Sequence, residues 1–479
     1  MKVKRDRWQR SFSQWFQDID SKAGLVDYRY PIKGCGVWLP YGFKLRERVI
    51  GVIRSLLDGT GHEETLFPIM ITSEMIEKEA VHIGSFGEQI FWVTHAGKHK
   101  LEEDLALRPT SETAVAPMLK LWIRSHADLP KKIYQVVSIF RYETKSTKPL
   151  IRVREVTTFK EAHTSHATAE EAEEQVKVAV GLYSQFFDDL NLSYVISKRP
   201  EWDKFAGSLY SIAYDVILPD GRVLQIGTVH NLGQNFAKAF DITFEEEDGS
   251  RSHIWQTSYG ISERVIAAVV AVHGDDGGLV LPPKVAPIQA VIVPIPYKGE
   301  AGKVLEKCGE IAEALRGRGV RVEVDSRDKV TPGSKFYEWE MKGVPLRVEI
   351  GPRDLERGAV TLVRRDSMEK MQVSEGKVAE EIERLLKDVG VALKKRASDW
   401  MRSRIYRVES IEAVGGKVKG ALGIIEAGWC GGEGCGLKME EKTEMKMLGV
   451  AVGEKLGEGV RCISCGKEAK FLVRLAKTY

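Results

Sequence analysis

At 479 residues the chain is too long for one hydrophobic core, and the usual ~100–200 residues per domain suggest about three domains. With 43% hydrophobic and 29% charged residues it can bury a core along most of its length, which excludes wholesale disorder. Its 71 basic residues nearly balance 68 acidic ones, leaving +3, so any nucleic-acid surface must be a local patch and not a global excess.

The N-terminal MKVKRDRWQR has no apolar region behind its basic start. No secretory signal is therefore expected, and the chain is expected in the cytoplasm. Next come an apolar run through a proline, LFPIMI with Pro68, and a polar LRPTSET at 107–113. Residues 133–140 (IYQVVSIF) read as a strand, 170–190 as an amphipathic helix and 209–218 (LYSIAYDVIL) as a strand. Strands here do not alternate regularly with helices, which predicts an antiparallel sheet with helices packed against it. WQTSYGISERVIAAVVAV, 255–272, predicts a strand running through Gly260 into a helix. Its apolar stretch, 265–272, is far shorter than the ~18 residues of a membrane span, so no membrane segment is expected.

Clustered Gly and Pro at 274–287 mark a boundary. Beyond it, strands at 289–295, 320–325 and 346–351 alternate with a helix at 301–317, predicting an α/β domain with a largely parallel sheet. A charged helix over 374–404, broken near Gly390, leads into a Gly-, Glu- and Lys-rich tail. The expected domains are 1–280, 284–385 and 386–479, making an α/β multidomain protein.

The most informative stretch is SIFRYETKSTKPLIRVREVTTFKEAH, 138–163, an apolar strand ending in Arg141 and Glu143, a turn, and a second strand with Arg152, Arg154 and Phe159. The two-residue repeat puts Arg141 and Glu143 on one face, where they can act on one ligand. A guanidinium suits phosphate oxygens, and a neighbouring carboxylate can accept from an amine or hold a metal. Arg264 falls in the first turn of a helix apolar almost all round. A buried helix start bearing arginine calls for something anionic, such as a polyphosphate.

In the tail, Cys430-GGEG-Cys435 and Cys462-IS-Cys465 form two short-spaced pairs with glycines beside them. Such pairs bring four thiolates within reach of one tetrahedral zinc, and a closed four-sulfur set is structural. Cys35 and Cys308 have no such partners and are expected to be packing residues.

The 138–163 and 255–272 segments resemble motifs 2 and 3 of class II aminoacyl-tRNA synthetases, and LFPIMI resembles motif 1, the dimer interface of that class. LRPTSET, KFAGS (204–208), LQIGTVHNLGQNFAKAFDITF (224–244) and WQTSYGISER narrow the resemblance to prolyl-tRNA synthetases. The paired-cysteine tail is similar to that of the archaeal and eukaryotic type, and the stretch between His166 and Trp255 leaves no room for the editing insertion of the bacterial type. The resemblance implies a class II antiparallel core, an α/β anticodon-binding domain and a C-terminal zinc-containing α/β domain. It implies that L-proline is activated with ATP and magnesium and transferred to tRNA(Pro) by a homodimer.

It also implies roles for particular residues. Arg141, Glu143 and Arg264 are expected to be catalytic. Thr110, Glu112, Arg141, Phe205 and His230 would bind proline. Arg141, Glu143, Arg152, Phe159, Gln225, Thr228, Ser262 and Arg264 would bind ATP, and Glu340, Arg347 and Asp354 would read the anticodon. An apolar pocket rejects near-isosteres weakly, so some activation of cysteine or alanine is expected. The nearest rivals are threonyl, glycyl, seryl and histidyl synthetases; the catalytic half lacks the His/Cys cluster an active-site zinc for threonine would need. A non-catalytic RNA-binding relative is opposed by the presence of Arg141, Glu143 and Arg264.

Overall fold

Residues 4–78, 87–295, 301–418 and 423–479 are described by a computed structural model. Six central strands lie in the spatial order Val195–Lys198, Tyr210–Ile217, Val223–Gly233, Trp255–Ile261, Glu155–His166 and Lys131–Phe140, each antiparallel to its neighbours. This is the antiparallel sheet that the irregular alternation of elements predicts. Successive side chains point to opposite faces, so one face can be roofed by helices while the other stays available for ligands. The helix Ala169–Asp189 roofs it with Val176, Ala179, Tyr183, Phe186 and Phe187, all buried. Thr168 caps its start by accepting from the Glu171 N–H.

The helix Arg264–His273 packs beside it, with every residue from Val265 to His273 buried, as its all-round apolar pattern predicts. A helix buried at its C-terminus needs partners for its last carbonyls. Arg5 donates to the carbonyls of Val272, His273 and Gly274 at 3.1, 3.0 and 2.8 Å. The indole of Trp8 donates to Ala271 at 2.7 Å, and Arg396 to His273 at 2.7 Å. Positive charge at this end also complements the helix dipole. The N-terminal helices Asp6–Arg10 and Phe12–Lys22 and the later helix Val378–Arg402 therefore hold the helix that presents Arg264.

The second sheet has the order Val322–Val324, Ala290–Pro294, Leu346–Ile350, Ala359–Arg364 and Lys370–Ser374. The first three strands are parallel, but the last two pair antiparallel, so the sheet is mixed and not largely parallel. The connections decide this. Parallel neighbours need a crossover of about a dozen residues, whereas Arg364 and Lys370 are joined by a tight turn and Ile350 and Ala359 by one short helix, Pro352–Glu356. The helix Val378–Arg402 runs unbroken through Gly390, contrary to the expected break. One glycine costs a helix about 1 kcal/mol, and the apolar stripe of Ile382, Leu385, Leu386, Val389 and Leu393 buried around it offsets that.

The tail extends the first sheet. Ile405–Val408, Ile424–Trp429, Phe471–Ala476 and Lys446–Ala451 are laid edge to edge, and the last pairs with Val195–Lys198 through Val450 and Ala451. With Glu63–Glu64 at the far end, the sheet has 11 strands. Among the described residues no helix is long and apolar enough to cross a membrane.

Candidate active site

A cavity of about 270 Å³ opens on the face of the first sheet away from the Ala169–Asp189 helix. Strand parity explains the division. Lys160 points to the roof, donating to the hydroxyl of Tyr183 at 2.8 Å, while Phe159 and Glu161 line the cavity. All the residues expected around ATP and proline line this one space. Arg141, Glu143, Arg152 and Phe159 come from the hairpin region, Gln225, Thr228 and His230 from one strand, and Ser262 and Arg264 from the strand-to-helix turn. Thr110, Glu112 and Phe205 complete the wall.

The hairpin departs from the expected geometry. Its first strand ends at Phe140, so Arg141 and Glu143 follow the strand and do not share a face within it; Arg152 and Arg154 precede the second strand, which starts at Glu155. The polar turn between them carries too few apolar residues to continue a ladder. Arg141 N–H still donates to the Arg154 carbonyl at 2.9 Å, which closes the loop, and Arg141 and Glu143 both line the cavity. Arg141 Nε donates to the Pro109 carbonyl at 2.9 Å, and its guanidinium carbon is 5.8 Å from the centre of the Phe159 ring.

Gln225 and Thr228 are three residues apart, a spacing that should place them on opposite faces of a regular strand. A bulge where Tyr214 faces Gly227 and Asp215 faces Gln225 absorbs the extra residue, so Gln225, Thr228 and His230 all reach the cavity.

Arg264 Nε donates to the Ile151 carbonyl at 2.8 Å, fixing the guanidinium at the wall. Burial, and after it the charge of Arg152, lowers its pKa. Burial and the charge of Arg264 bring that of Arg141 down to about 10. Both remain charged at neutral pH, so two half-buried cations share the wall of one cavity.

On the other side, Thr110 donates to one oxygen of Glu112 and Ser258 to the other at 2.9 Å, all three buried. His230 accepts or donates through Nδ1 to Ser211 at 2.7 Å, and burial holds its pKa down to about 3, so it is neutral. Its ring lies 4.8 Å from that of Phe205.

Sequence reasoning missed four groups here. Glu161 and His163 continue the cavity face of the Phe159 strand, a two-residue repeat that would have found them. The ligand atoms of Glu112, Glu161 and His163 lie within 4.8 Å of one another. Burial pushes Glu161 up, but hydrogen bonding to His163 and the charge of that ring, among others, hold it below the usual range. Ser258 and Arg199 carry no local signal, since their importance depends on distant partners.

In the second sheet, Arg347 and Glu340 are joined at 2.6 Å. Glu349 accepts twice from the same guanidinium, at 3.0 and 2.9 Å, and the ring of Phe336 lies 4.1 Å beneath it. Leu346–Ile350 is a central, fully buried strand. Arg347 and Glu340 line a small recess with Trp339 and Arg365, whereas Asp354 is not in its wall and accepts instead from the Gly351 N–H at 2.9 Å.

The sulfurs of Cys430, Cys435, Cys462 and Cys465 lie within 4.8 Å of one another, with 3.9 Å between Cys430 and Cys465. Four thiolates at ~2.3 Å from one tetrahedral zinc stand about 3.8 Å apart, so the set fits that ion. Gly431 at φ +88° and Gly466 at φ +73° make the turns after the first and last cysteines.

Three family descriptions match the chain in succession. The tRNA synthetase class II core domain (G, H, P, S and T) matches residues 91–273, the anticodon binding domain 289–385, and the prolyl-tRNA synthetase C-terminal domain 417–479. An antiparallel sheet with two arginines at one cavity, followed by the anticodon-binding fold, defines a class II aminoacyl-tRNA synthetase. Relatives named proline--tRNA ligase are 53% identical in Methanopyrus kandleri, over 98% of this chain and 96% of theirs, and 51% identical in Pyrococcus abyssi, over the whole of both. The solved prolyl-tRNA synthetase of Giardia lamblia in complex with prolyl-adenylate superposes with a TM-score of 0.95 at 38% identity, covering 100% of this chain and 99% of that one. The chain belongs to the prolyl-tRNA synthetase family.

Proposed function

We propose that the chain activates L-proline with ATP to prolyl-adenylate and pyrophosphate, then transfers the prolyl group to the 3′ end of tRNA(Pro). The observation that carries this reading is the meeting of Arg141 and Arg264 at one cavity beside the Thr110–Glu112 acceptor pair. Two half-buried guanidiniums in one cavity wall repel each other, and a triphosphate bound there relieves that repulsion.

The protonated secondary amine of proline has two N–H donors, which Glu112 and Thr110 accept. Phe205 and the neutral His230 flank the ring. Arg141 holds the amino-acid carboxylate beside the α-phosphate. An oxygen of that carboxylate bonds to the α-phosphorus, the bond to the bridging oxygen of the β-phosphate breaks, and pyrophosphate departs with the electron pair. Phe159 stacks on adenine; Arg152, Gln225, Thr228 and Ser262 fix the nucleotide, and Arg264 takes the phosphate charge. Magnesium, when bound, would neutralise phosphate charge, and Glu143, a cavity carboxylate that acts electrostatically on both Arg141 and Arg264, would be the residue to hold it. No nucleophilic side chain is required, so catalysis is positioning and charge stabilisation.

ATP–pyrophosphate exchange measured across the amino acids tests the reading. Proline should give the fastest exchange and cysteine or alanine a weaker signal; no exchange with proline would overturn it.

Glu340 and Arg347 are read as contacts to anticodon guanines, with Asp354 on the short helix Pro352–Glu356 that follows the Arg347 strand. Arg347→Ala should leave proline-dependent exchange unchanged and lower tRNA charging by roughly 10–100-fold, the worth of one bidentate base contact. Unchanged charging would remove the assignment.

The four cysteines are read as a structural zinc site. Cobalt(II) bound in place of zinc should show thiolate-to-metal charge transfer, and Cys435→Ser should lose that band and lower the thermal midpoint by several degrees. The exposed Leu66, Ile69 and Met70 around Pro68 support a homodimer, and the family's work in translation supports a cytoplasmic location.

A further inference from the structure

Arg199 lies just past the Val195–Lys198 strand and lines the cavity, yet its side chain is 6% exposed and its donors are directed into the protein. Nη2 donates to Asp215 at 3.0 Å and to the side-chain oxygen of Gln225 at 2.8 Å, while Nη1 donates to the Leu448 carbonyl at 2.8 Å. That carbonyl belongs to the tail. It is presented by a bulge between Met447 and Gly449, where Gly449 takes φ +119° and an added Cβ would fall 2.0 Å from the Lys198 carbonyl. Only glycine allows the strand Lys446–Ala451 to approach so closely.

The chemistry of the pair fixes the Gln225 amide. A guanidinium donates and never accepts, so the amide must turn its oxygen to Arg199, which leaves its NH2 group to donate elsewhere. Gln225 lines the cavity, and a donating amide there suits a phosphate or ribose oxygen. Asp215, paired with Gln225 across the two strands and buried, holds the other side of the same guanidinium nitrogen.

We propose that Arg199 is a positioning residue for the nucleotide: anchored on Leu448 and Asp215, it holds the Gln225 amide with its N–H donors toward ATP. The inference rests on the reading of Gln225 as an ATP ligand. It makes the tail part of the nucleotide site, although among the described residues none from the tail lines the cavity itself.

Arg199→Ala would leave Asp215 buried without its partner and destabilise the fold, so the test uses Arg199→Lys, which keeps the charge but cannot reach Gln225, Asp215 and Leu448 together. In proline-dependent pyrophosphate exchange, this variant should raise KM for ATP about tenfold, with KM for proline changed less than about twofold. Gln225→Ala should raise KM for ATP similarly, and the double variant should be no worse than Gln225→Ala alone, because Arg199 acts only through that amide. Equal rises in both KM values, or multiplying effects in the double variant, would assign Arg199 a general structural role and overturn the proposal. If Gln225→Ala raises KM for ATP and Arg199→Lys does not, the positioning role fails while the ATP reading stands. If Gln225→Ala has no effect, the ATP reading of Gln225 fails and takes the inference with it.

Discussion

Arg264→Ala should lower kcat/KM for proline-dependent pyrophosphate exchange by on the order of a thousandfold while leaving the protein folded. The loss follows from removing a fixed positive charge aimed at phosphate in a site that excludes water, where one such group is worth ~10²–10³ or more in rate. The preserved fold follows from the environment. In the free protein Arg264 is half-buried in the cavity wall, its pKa lowered first by desolvation there and then by Arg152, and its charge in turn lowers the pKa of Arg141. Its only described anchor to backbone is the Ile151 carbonyl. Removing a partly desolvated like charge should therefore hold or raise the thermal midpoint, and ATP should no longer raise that midpoint in the variant. A fall in midpoint matching the loss of exchange would show instead that Arg264 supports the fold.

Glu112→Gln should raise KM for proline roughly 100-fold, with a smaller change in KM for ATP, as exchange titrated in each substrate would show. The amide keeps the shape of the carboxylate but loses its charge, and hydrogen bonds to a charged partner contribute about 1.5–3 kcal/mol. Thr110 and Ser258 occupy both carboxylate oxygens, so the group is already held in place before the substrate arrives. An unchanged KM for proline would move the amine-binding role to Glu161, the neighbouring buried carboxylate.

Much of this cavity could be read from the chain because its chemistry is local. Arg264 announces itself as a charge at the head of an apolar helix, and Arg141 as one at the end of an apolar strand. Other parts depend on contacts between distant segments. Gln225 and Thr228 violate strand parity, and only the bulge at Ile226 in their own strand, where Gly227 faces Tyr214 and Gln225 faces Asp215, brings both to one face. Arg199 acquires its surroundings from Leu448, far along the chain, and nothing near either residue foretells the meeting. The mixed direction of the second sheet is hidden from the sequence for a related reason. Hydrophobic runs report that strands exist, whereas their direction is set by the length of the connections, here too short after Ile350 for a crossover.

The uninterrupted helix Val378–Arg402 has a mechanical corollary. Its 25 residues span about 37 Å, and it is gripped at one end by the core of the second sheet through Ile382, Leu385 and Val389, and near the other by the first core through Ala397. A rod clamped in both bodies sets the gap between the recess at Arg347 and the cavity at Arg141 as a caliper sets its jaws. Any RNA that spans the two must then bend to the gauge of the protein, so its shape is inspected along with its bases.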